Sequence, residues 1–267
     1  MNKKVGILAI DDEQVILDSI ERLCSLENWH VDKALDVRTA LDKMSRKQYH
    51  LILCDIMMPE TDGFQFLQKA NEAQNKTPII ITSGFSTFEN AVKSLYSGAI
   101  DFIAKPFTLE ELLGVLKRGL KFHNILEAHD YDLLNPKPGA EPKYLLCPNN
   151  YMRLGYTTWI KDQHDGSFRV GICDIYQKTL GDISSVDLME VDEEIFQGNT
   201  CSKAKTTDQW QHFIPSPISG RILSRNNEVL NNINLLKNTP YTDGWLYTVV
   251  PSNLEYESEF LYLRKEE

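Results

Sequence analysis

Short apolar runs alternate with helical patterns over the first half of the chain. Five runs have the length and the β-branched character of strands, and each is followed by a segment whose apolar residues recur at helical spacing. The predicted strands are 4–10, 30–35, 50–54, 78–82 and 101–104, and the predicted helices lie near 13–27, 36–47, 63–74, 86–97 and 108–122. This repetition predicts a doubly wound α/β domain with a five-stranded parallel sheet that helices cover on both faces.

The pattern changes in the middle of the chain. Thr108 and Glu111 form a capping box that begins the last helix, whose polar continuation we expect to run toward residue 130. Pro136, Pro138 and Pro142 then remove backbone donors and bias their predecessors away from helix. Beyond them lie short β-rich runs separated by glycine turns, at 168–172, 183–186, 218–223 and 245–250. The predicted parts are an α/β domain at 1–123, a helical extension and proline-rich linker at 124–144, and a mostly-β domain at 145–267.

Composition and charge narrow the classes of function. The chain of 267 residues has a formal net charge of −10, which opposes sequence-independent binding to nucleic acid or to an anionic membrane. No run approaches the roughly 18 apolar residues of a spanning helix, and the N-terminus has no secretory cleavage site. The five cysteines are odd in number and lack metal-ligand spacing, which indicates reduced thiols. We expect a cytoplasmic protein with neither nucleic acid nor membrane as a partner.

Polar side chains follow several predicted strands at the point where each strand ends. Asp11 and Asp12 follow the first strand, and Asp55 follows the third. Ser83 follows the fourth strand and Lys105 the fifth. In a doubly wound sheet these ends converge on one crevice. Three carboxylates that lie together repel one another and need a cation, and their oxygen ligands suit Mg²⁺.

This set of groups fits the transfer of a phosphoryl group to a carboxylate. A carboxylate can attack phosphorus, and a bridging metal ion offsets the charge of the incoming group. Lys105 would neutralise one phosphoryl oxygen, and the Ser83 hydroxyl would donate to another. Taken singly, the aspartates also fit helix caps or loop positions, and Lys105 fits a surface charge. Their order along the chain and their placement at strand ends together favour the phosphoryl site.

The same residues resemble the receiver domain of bacterial two-component response regulators, which has a flavodoxin-like fold. The resemblance covers about residues 3–122 and rests on Asp11-Asp12, Asp55-Ile56-Met57-Met58-Pro59, Asp62-Gly63, Ser83-Gly84 and Lys105-Pro106. It implies that a sensor histidine kinase phosphorylates Asp55 and that Lys105 contacts the phosphoryl group. It also implies that the metal ion is held by Asp11, Asp12, Asp55 and the Met57 carbonyl.

Two positions near this site leave alternatives open. Thr82 and Ser83 compete for the hydroxyl role, and the family's spacing favours Ser83, 22 residues before Lys105, so that strand alternation turns Thr82 away. Phe102 matches the family's aromatic switch position, and plain core packing is an equal alternative. Phosphorylation would shift the loops after the fourth and fifth strands. We expect the face of the fourth and fifth helices then to form a homodimer or to release the second domain.

The second half resembles the H protein of the glycine cleavage system, whose fold is a lipoyl-type β-sandwich. The resemblance spans about 151–262 and rests on Trp159 and on the segments 169–183, 217–220 and 242–246. That family carries lipoate on a lysine at a hairpin tip, eight residues before the proline of a Pro-x-Ser-Gly turn. Counting back from Pro217 reaches Gln209, and counting ten residues on from Gly198 reaches Asp208. Neither side chain has an amine, so we expect no lipoyl group at this position.

Three classes of function compete for the whole chain. We favour a response regulator in a phosphorelay, whose non-lipoylated H-like domain binds an unknown protein partner as its output. The alternative is a lipoyl carrier gated by phosphorylation and modified on Lys203 or Lys205. An enzyme with its own active site is disfavoured, because the second half has no nucleophile–base pair or metal cluster and His212 fits a strand or surface residue. Trp210, beside the former attachment point, fits either a recognition anchor or a residue folded onto the sandwich.

Overall fold

The chain divides into two compact units in its computed structural model, which describes residues 5–84, 88–134 and 143–263. The first unit comprises Met1–Asn90 and Ser97–Asn124, and the second comprises Ala91–Tyr96 and Ile125–Glu267. The domain boundaries predicted from the sequence stay predictions. Most of the predicted proline-rich linker, residues 135–142, lies outside the described residues.

A five-stranded parallel sheet in the order β2-β1-β3-β4-β5 forms the centre of the first unit. Its strands are β1 (Gly6–Ile10), β2 (His30–Ala34), β3 (Leu51–Asp55), β4 (Ile79–Ser83) and β5 (Asp101–Ala104). The helices that follow them are α1 (Gln14–Leu26), α2 (Val37–Arg46), α3 (Gly63–Glu72), α4 (Phe88–Tyr96) and α5 (Leu109–Leu134). The predicted α/β fold is confirmed, while residues 4 and 86–87 of the predicted elements lie outside the described residues.

Burial and capping explain why these elements form where they do. All residues of β1, β3 and β4 are buried, as expected for strands that are covered on both faces. Asp62 caps α3 by accepting a hydrogen bond from the backbone N–H of Gln65 at 2.8 Å. The capping box at α5 is confirmed, because the Glu111 N–H donates to the Thr108 hydroxyl at 3.2 Å and the Thr108 N–H to the Glu111 carboxylate at 2.7 Å. The helix α5 runs to Leu134, past its expected continuation toward residue 130.

Two antiparallel sheets form the framework of the second unit, which confirms the predicted mostly-β sandwich. The larger sheet has the order β10-β13-β14-β8-β7-β6-β15, and the smaller has the order β12-β11-β9. The strands are β6 (Met152–Leu154), β7 (Thr158–Asp162), β8 (Phe168–Ile172), β9 (Ile183–Leu188), β10 (Glu194–Ile195), β11 (Thr200–Thr206), β12 (Gln211–Pro215), β13 (Gly220–Arg225), β14 (Trp245–Pro251) and β15 (Tyr262–Leu263). Four short helices were not predicted: α6 (Asp174–Leu180), α7 (Asn227–Asn231), α8 (Leu235–Asn238) and α9 (Leu254–Glu257).

A buried tryptophan organises the core of the larger sheet. Trp159 on β7 is fully buried, and its indole N–H donates to the Ile172 carbonyl at 3.1 Å. Gly171 on β8 is its register partner, and a Cβ at this position would overlap the indole ring. The glycine therefore provides the space that the tryptophan occupies.

One phenol connects the two sheets of the second unit. Tyr247 lies on β14 of the larger sheet and is fully buried. Its hydroxyl donates to the Cys201 carbonyl on β11 of the smaller sheet at 2.7 Å, and it accepts a hydrogen bond from the Met189 N–H at 2.8 Å. The hydroxyl thus satisfies backbone groups that would otherwise be buried without a partner.

Two expectations from composition bear on the structure as a whole. In the described ranges, no helix combines the length and the apolar composition needed to cross a membrane. All five cysteines are free and buried, in agreement with the expectation of reduced thiols.

We predict that Gly171→Val destabilises the protein by about 3 kcal/mol or more, because two methyl groups and a Cβ would displace the Trp159 indole from a close-packed core. Urea unfolding followed by tryptophan fluorescence measures this loss. Gly84→Ala is the matched control, because a Cβ there meets open space, and we expect a change within about 0.5 kcal/mol. Equal stability of the two variants would contradict the packing role of Gly171.

Candidate functional site

The carboxyl ends of three parallel strands bring together three carboxylates and an ammonium group. Asp11 follows β1, Asp55 is the last residue of β3, and Lys105 follows β5. Asp11 and Asp55 are only 1% and 4% exposed, whereas Asp12 is exposed. Each of the three carboxylates offers an oxygen within 4.8 Å of the other two. The structure therefore gathers the acidic residues that the sequence analysis expected to meet.

Lys105 lies between the two buried carboxylates. Its Nζ atom is 2.6 Å from Asp11 Oδ2 and 3.2 Å from Asp55 Oδ1. The side chain is itself mostly buried, so these ion pairs are screened less by solvent than pairs on the surface. One ammonium group offsets only part of the charge of three carboxylates, which leaves a net negative site.

Burial, and then the neighbouring charges, set the electrostatics of the site. Burial raises the pKa of Asp55, and the charges of Asp11 and Asp12 act in the same direction, while Lys105 opposes them. For Lys105, burial favours the neutral amine, but the hydrogen bond to Asp11 and the charges of Asp11 and Asp55 outweigh it and raise its pKa. The lysine therefore stays charged, and ionisation of Asp55 is harder than that of a carboxyl group in water.

The structure corrects the expectation for Thr82. Thr82 is the register partner of Asp55 in the β3–β4 pair, so the two side chains lie on the same face of the sheet. Its hydroxyl donates to Asp55 Oδ1 at a long distance of 3.5 Å, and the expectation that it turns away is wrong. Ser83 is the last residue of β4 and is fully buried. Its carbonyl accepts a hydrogen bond from the backbone N–H of Lys105 at 2.7 Å. The hydroxyl role of Ser83 stays a prediction.

The loop after β3 is held close to Asp55. The Ile56 N–H donates to the Thr82 carbonyl and the Gly63 N–H donates to the Ile56 carbonyl, both at 2.9 Å. A Cβ on Gly63 would lie 2.5 Å from the Asp55 carbonyl oxygen, so only glycine allows α3 to begin this near to the site. Met57 lies in this loop with its side chain 53% exposed. Its carbonyl as a metal ligand stays a prediction.

Phe102 lies on β5 and packs, partly buried, against the apolar core of the first unit. Phe102 therefore takes part in core packing, which was one of its two expected roles. Its role as a switch stays a prediction.

The donor set fits a hard divalent cation. All three acidic side chains offer oxygen ligands, and the exposed Asp12 leaves one side of the group open to water. Mg²⁺ is commonly bound by one or two carboxylates with water and phosphate oxygens in the remaining positions. Asp11, Asp12 and Asp55 are the residues that would hold it.

The hairpin of the smaller sheet is the second candidate site. The Thr206 N–H donates to the Trp210 carbonyl at 2.9 Å, so the turn consists of residues 207–209. Gln209 has a φ of +69°, and Trp210 is half-buried. Lys203 and Lys205 are exposed, but both lie within β11 and not in the turn. His212 was expected as a strand or a surface residue, and it is a buried residue of the strand β12.

Comparisons with known proteins assign both halves of the chain. A family model described as the response regulator receiver domain matches residues 7–117, and one described as the glycine cleavage H-protein matches residues 151–267. The transcriptional regulatory protein DltR of Streptococcus agalactiae serotype III is 33% identical over 148 residues, which are 55% of this chain and 66% of that protein. The response regulator ArlR of Staphylococcus aureus is 37% identical over 115 residues, which are 43% of this chain and 52% of that protein.

Solved structures match the receiver half of the chain. A CheY-like response regulator receiver domain protein from Methanospirillum hungatei is 31% identical and covers 46% of this chain and 98% of its own, with a TM-score of 0.44. The chain matches only part of its curated relatives, from 26% of the regulatory protein AtoC of Escherichia coli to 66% of DltR. Residues 7–117 are a response regulator receiver domain, which this chain joins to a glycine cleavage H-protein domain at residues 151–267.

Proposed function

We propose that the chain is a two-component response regulator whose Asp55 accepts a phosphoryl group from a sensor histidine kinase. The observation that carries this proposal is the meeting of Asp11, Asp12, Asp55 and Lys105 at the carboxyl ends of the parallel strands. The relatives of the receiver domain are named as response regulators and transcriptional regulatory proteins, which supports the same class.

The chemistry assigns a separate task to each group of the site. An Asp55 oxygen attacks phosphorus, forming an O–P bond as the P–N bond to the kinase histidine breaks. Lys105 moves from its contacts with Asp11 and Asp55 to an oxygen of the incoming group, and the hydroxyl of Ser83 or Thr82 donates to another. Bound Mg²⁺ would supply further positive charge beside the phosphoryl oxygens. The nearby carboxylates then no longer repel the incoming anion.

We propose that the H-protein domain is a non-lipoylated module that binds a protein partner and gives the receiver its output. Its hairpin turn, residues 207–209, consists of Thr, Asp and Gln, none of which has an amine for lipoyl attachment. This assignment makes the chain a cytoplasmic signalling protein and not an enzyme, with neither nucleic acid nor membrane as its target. Phosphorylation would release the domain or drive formation of a homodimer.

A lipoyl carrier gated by phosphorylation is the second candidate. The observation in its favour is that Lys203 and Lys205 are exposed near the hairpin. Against it, both lysines lie in a strand that pairs on both sides, where the backbone is fixed and a swinging arm would start from the face of a sheet.

We predict that acetyl phosphate with Mg²⁺ adds one phosphoryl group to the chain and that Asp55→Asn lowers the rate of labelling by roughly a thousandfold or more, because the nucleophile is lost. Intact mass spectrometry measures the labelling. Asp42→Asn is the matched control, because Asp42 is an exposed carboxylate on α2 that is paired with Arg46. Labelling that persists in the Asp55 variant would exclude the proposed acceptor.

We predict that Asp55→Asn also raises the urea midpoint at neutral pH without added metal. The pKa of Asp55 is raised in the folded domain, so ionisation of this side chain costs more in the folded domain than in the unfolded chain. Stability is therefore lost as the pH rises from the unfolded pKa through the folded pKa, and an amide avoids that loss. Urea titrations at several pH values measure the effect, and the difference between the variant and the native protein should vanish in acid. A variant that is less stable at neutral pH would contradict this electrostatic account.

We predict that the protein isolated from cells supplied with lipoate carries no lipoyl group, since the turn has no lysine. Intact mass and peptide mapping test this, with a double variant, Lys203→Arg and Lys205→Arg, as the control. A lipoyl increment on either lysine that the double variant lacks would establish the carrier in place of the interaction module.

A further inference from the structure

The strand β12 is the outermost strand of the smaller sheet. In the part of the chain that the structure describes, it pairs only with β11. The hairpin closes with a hydrogen bond from the Thr206 N–H to the Trp210 carbonyl, and in an antiparallel ladder hydrogen-bonded pairs alternate with non-bonded ones. His212 and Ile214 therefore direct their backbone groups to β11, and Gln211 and Phe213 direct theirs to the open edge.

This edge has little of the protection that natural sheets place on such strands, because the bulge of the β11–β12 pair, between Thr200 and Ser202, lies on β11 and not on β12. Edge strands are commonly guarded by charged side chains, by bulges or by proline within the strand. The strand β12 reads Gln-His-Phe-Ile-Pro, without a residue that carries a permanent charge and with its proline only at the end. Phe213 is 47% exposed on the outer face, next to the open backbone groups. The strand is thus suited to pair with another strand.

Positive charge lies on the same face of the sheet. Lys203 is the register partner of Phe213, and its Nζ atom is 5.9 Å from the centre of the phenyl ring. Lys205 is the register partner of Gln211. The nearest carboxylate by register is Asp187 on β9, but of the described residues none forms an ion pair with either lysine. Along these rows of register partners, two ammonium groups lie beside one carboxylate, which is a local excess of positive charge in a chain with a net charge of −10.

We propose that β12 is the docking strand for an extended acidic segment of a partner protein, which adds to the smaller sheet as a fourth strand. The backbone groups of Gln211 and Phe213 would pair with the segment, while Lys203 and Lys205 would attract its carboxylates. Phe213 would cover an apolar side chain of the segment on the outer face. This inference rests on the proposed interaction role of the H-protein domain and names the surface and the chemistry of the partner.

The probe is a fluorescein-labelled, acetylated peptide that repeats Glu-Thr-Val-Thr, so that one face of its extended strand carries both glutamate and valine. It is titrated with the full-length protein and followed by fluorescence anisotropy. We expect saturable binding that weakens as salt is added. A peptide with lysine in place of each glutamate should bind at least about tenfold more weakly, because it repels both lysines. A glutamate peptide with proline at its centre should bind about as weakly, because it lacks a backbone donor for the ladder.

Variants of the protein test the surface directly. The double variant Lys203→Glu and Lys205→Glu and the variant Phe213→Ser should each weaken binding about tenfold. Phe196→Ser is the matched control, because Phe196 is an equally exposed phenylalanine, at 51%, that follows β10 of the larger sheet. Thermal unfolding followed by circular dichroism checks that the variants fold. If one does not, the comparison of the three peptides with the native protein decides alone.

Three results would overturn the proposal. The first is equal binding of the glutamate and lysine peptides, and the second is a loss of binding in Phe196→Ser as large as in Phe213→Ser. The third is a dimer of the native protein, seen by sedimentation, that Phe213→Ser abolishes. A second copy of the chain would then be the occupant of the edge. Labelling of Asp55 by acetyl phosphate is measured on the same samples. Labelling without peptide binding rejects the docking strand and leaves the response regulator function supported. Peptide binding without labelling rejects phosphorylation of Asp55 and leaves the docking strand supported.

Discussion

The pairing of one lysine with two buried carboxylates is the interaction on which the receiver half depends. Lys105 contacts both Asp11 and Asp55, yet its single charge leaves the three-carboxylate group negative. Burial and, after it, the charges of Asp11 and Asp12 raise the pKa of Asp55, so its ionised form is less stable there than in water. A site that is strained by its own charge gains most from a cation and from a change at Asp55, so the instability of the site and its proposed function have the same origin.

The parallel sheet is the reason that this site could be predicted from the sequence. Strands that all point the same way end at one edge, so residues far apart in the sequence meet there, and Asp11, Asp12, Asp55 and Lys105 were expected together for that reason alone. Thr82 was missed because alternation was counted along β4 from Ser83, whereas its orientation depends on the register between β4 and β3, which pairs Thr82 with Asp55. Register across a parallel pair is a property of the packed sheet and leaves no local signal.

In the second half, too, the elements that local sequence determines could be predicted, and those that depend on tertiary packing could not. The run 168–172 coincides with β8, because its glycine and β-branched residues and the turn before it form a local pattern. The helices α6, α7 and α8 have seven residues or fewer, too short to show an amphipathic period. Six of the seven residues of α6 are buried, whereas α7 and α8 bury only Val229 and Leu236. The free edge of β12 was also beyond the sequence, since it depends on where the smaller sheet ends.

The phenol of Tyr247 has a consequence for any ligand of the smaller sheet. Its hydroxyl contacts the Cys201 carbonyl in β11, the strand that lies directly beside β12, and β14 carries its ring into the centre of the larger sheet. A displacement of β11 by even a fraction of an ångström would lengthen this bond and disturb a buried aromatic ring. The amide exchange of Met189, whose N–H donates to this hydroxyl, therefore offers an internal reporter of events at the neighbouring edge, without any added label.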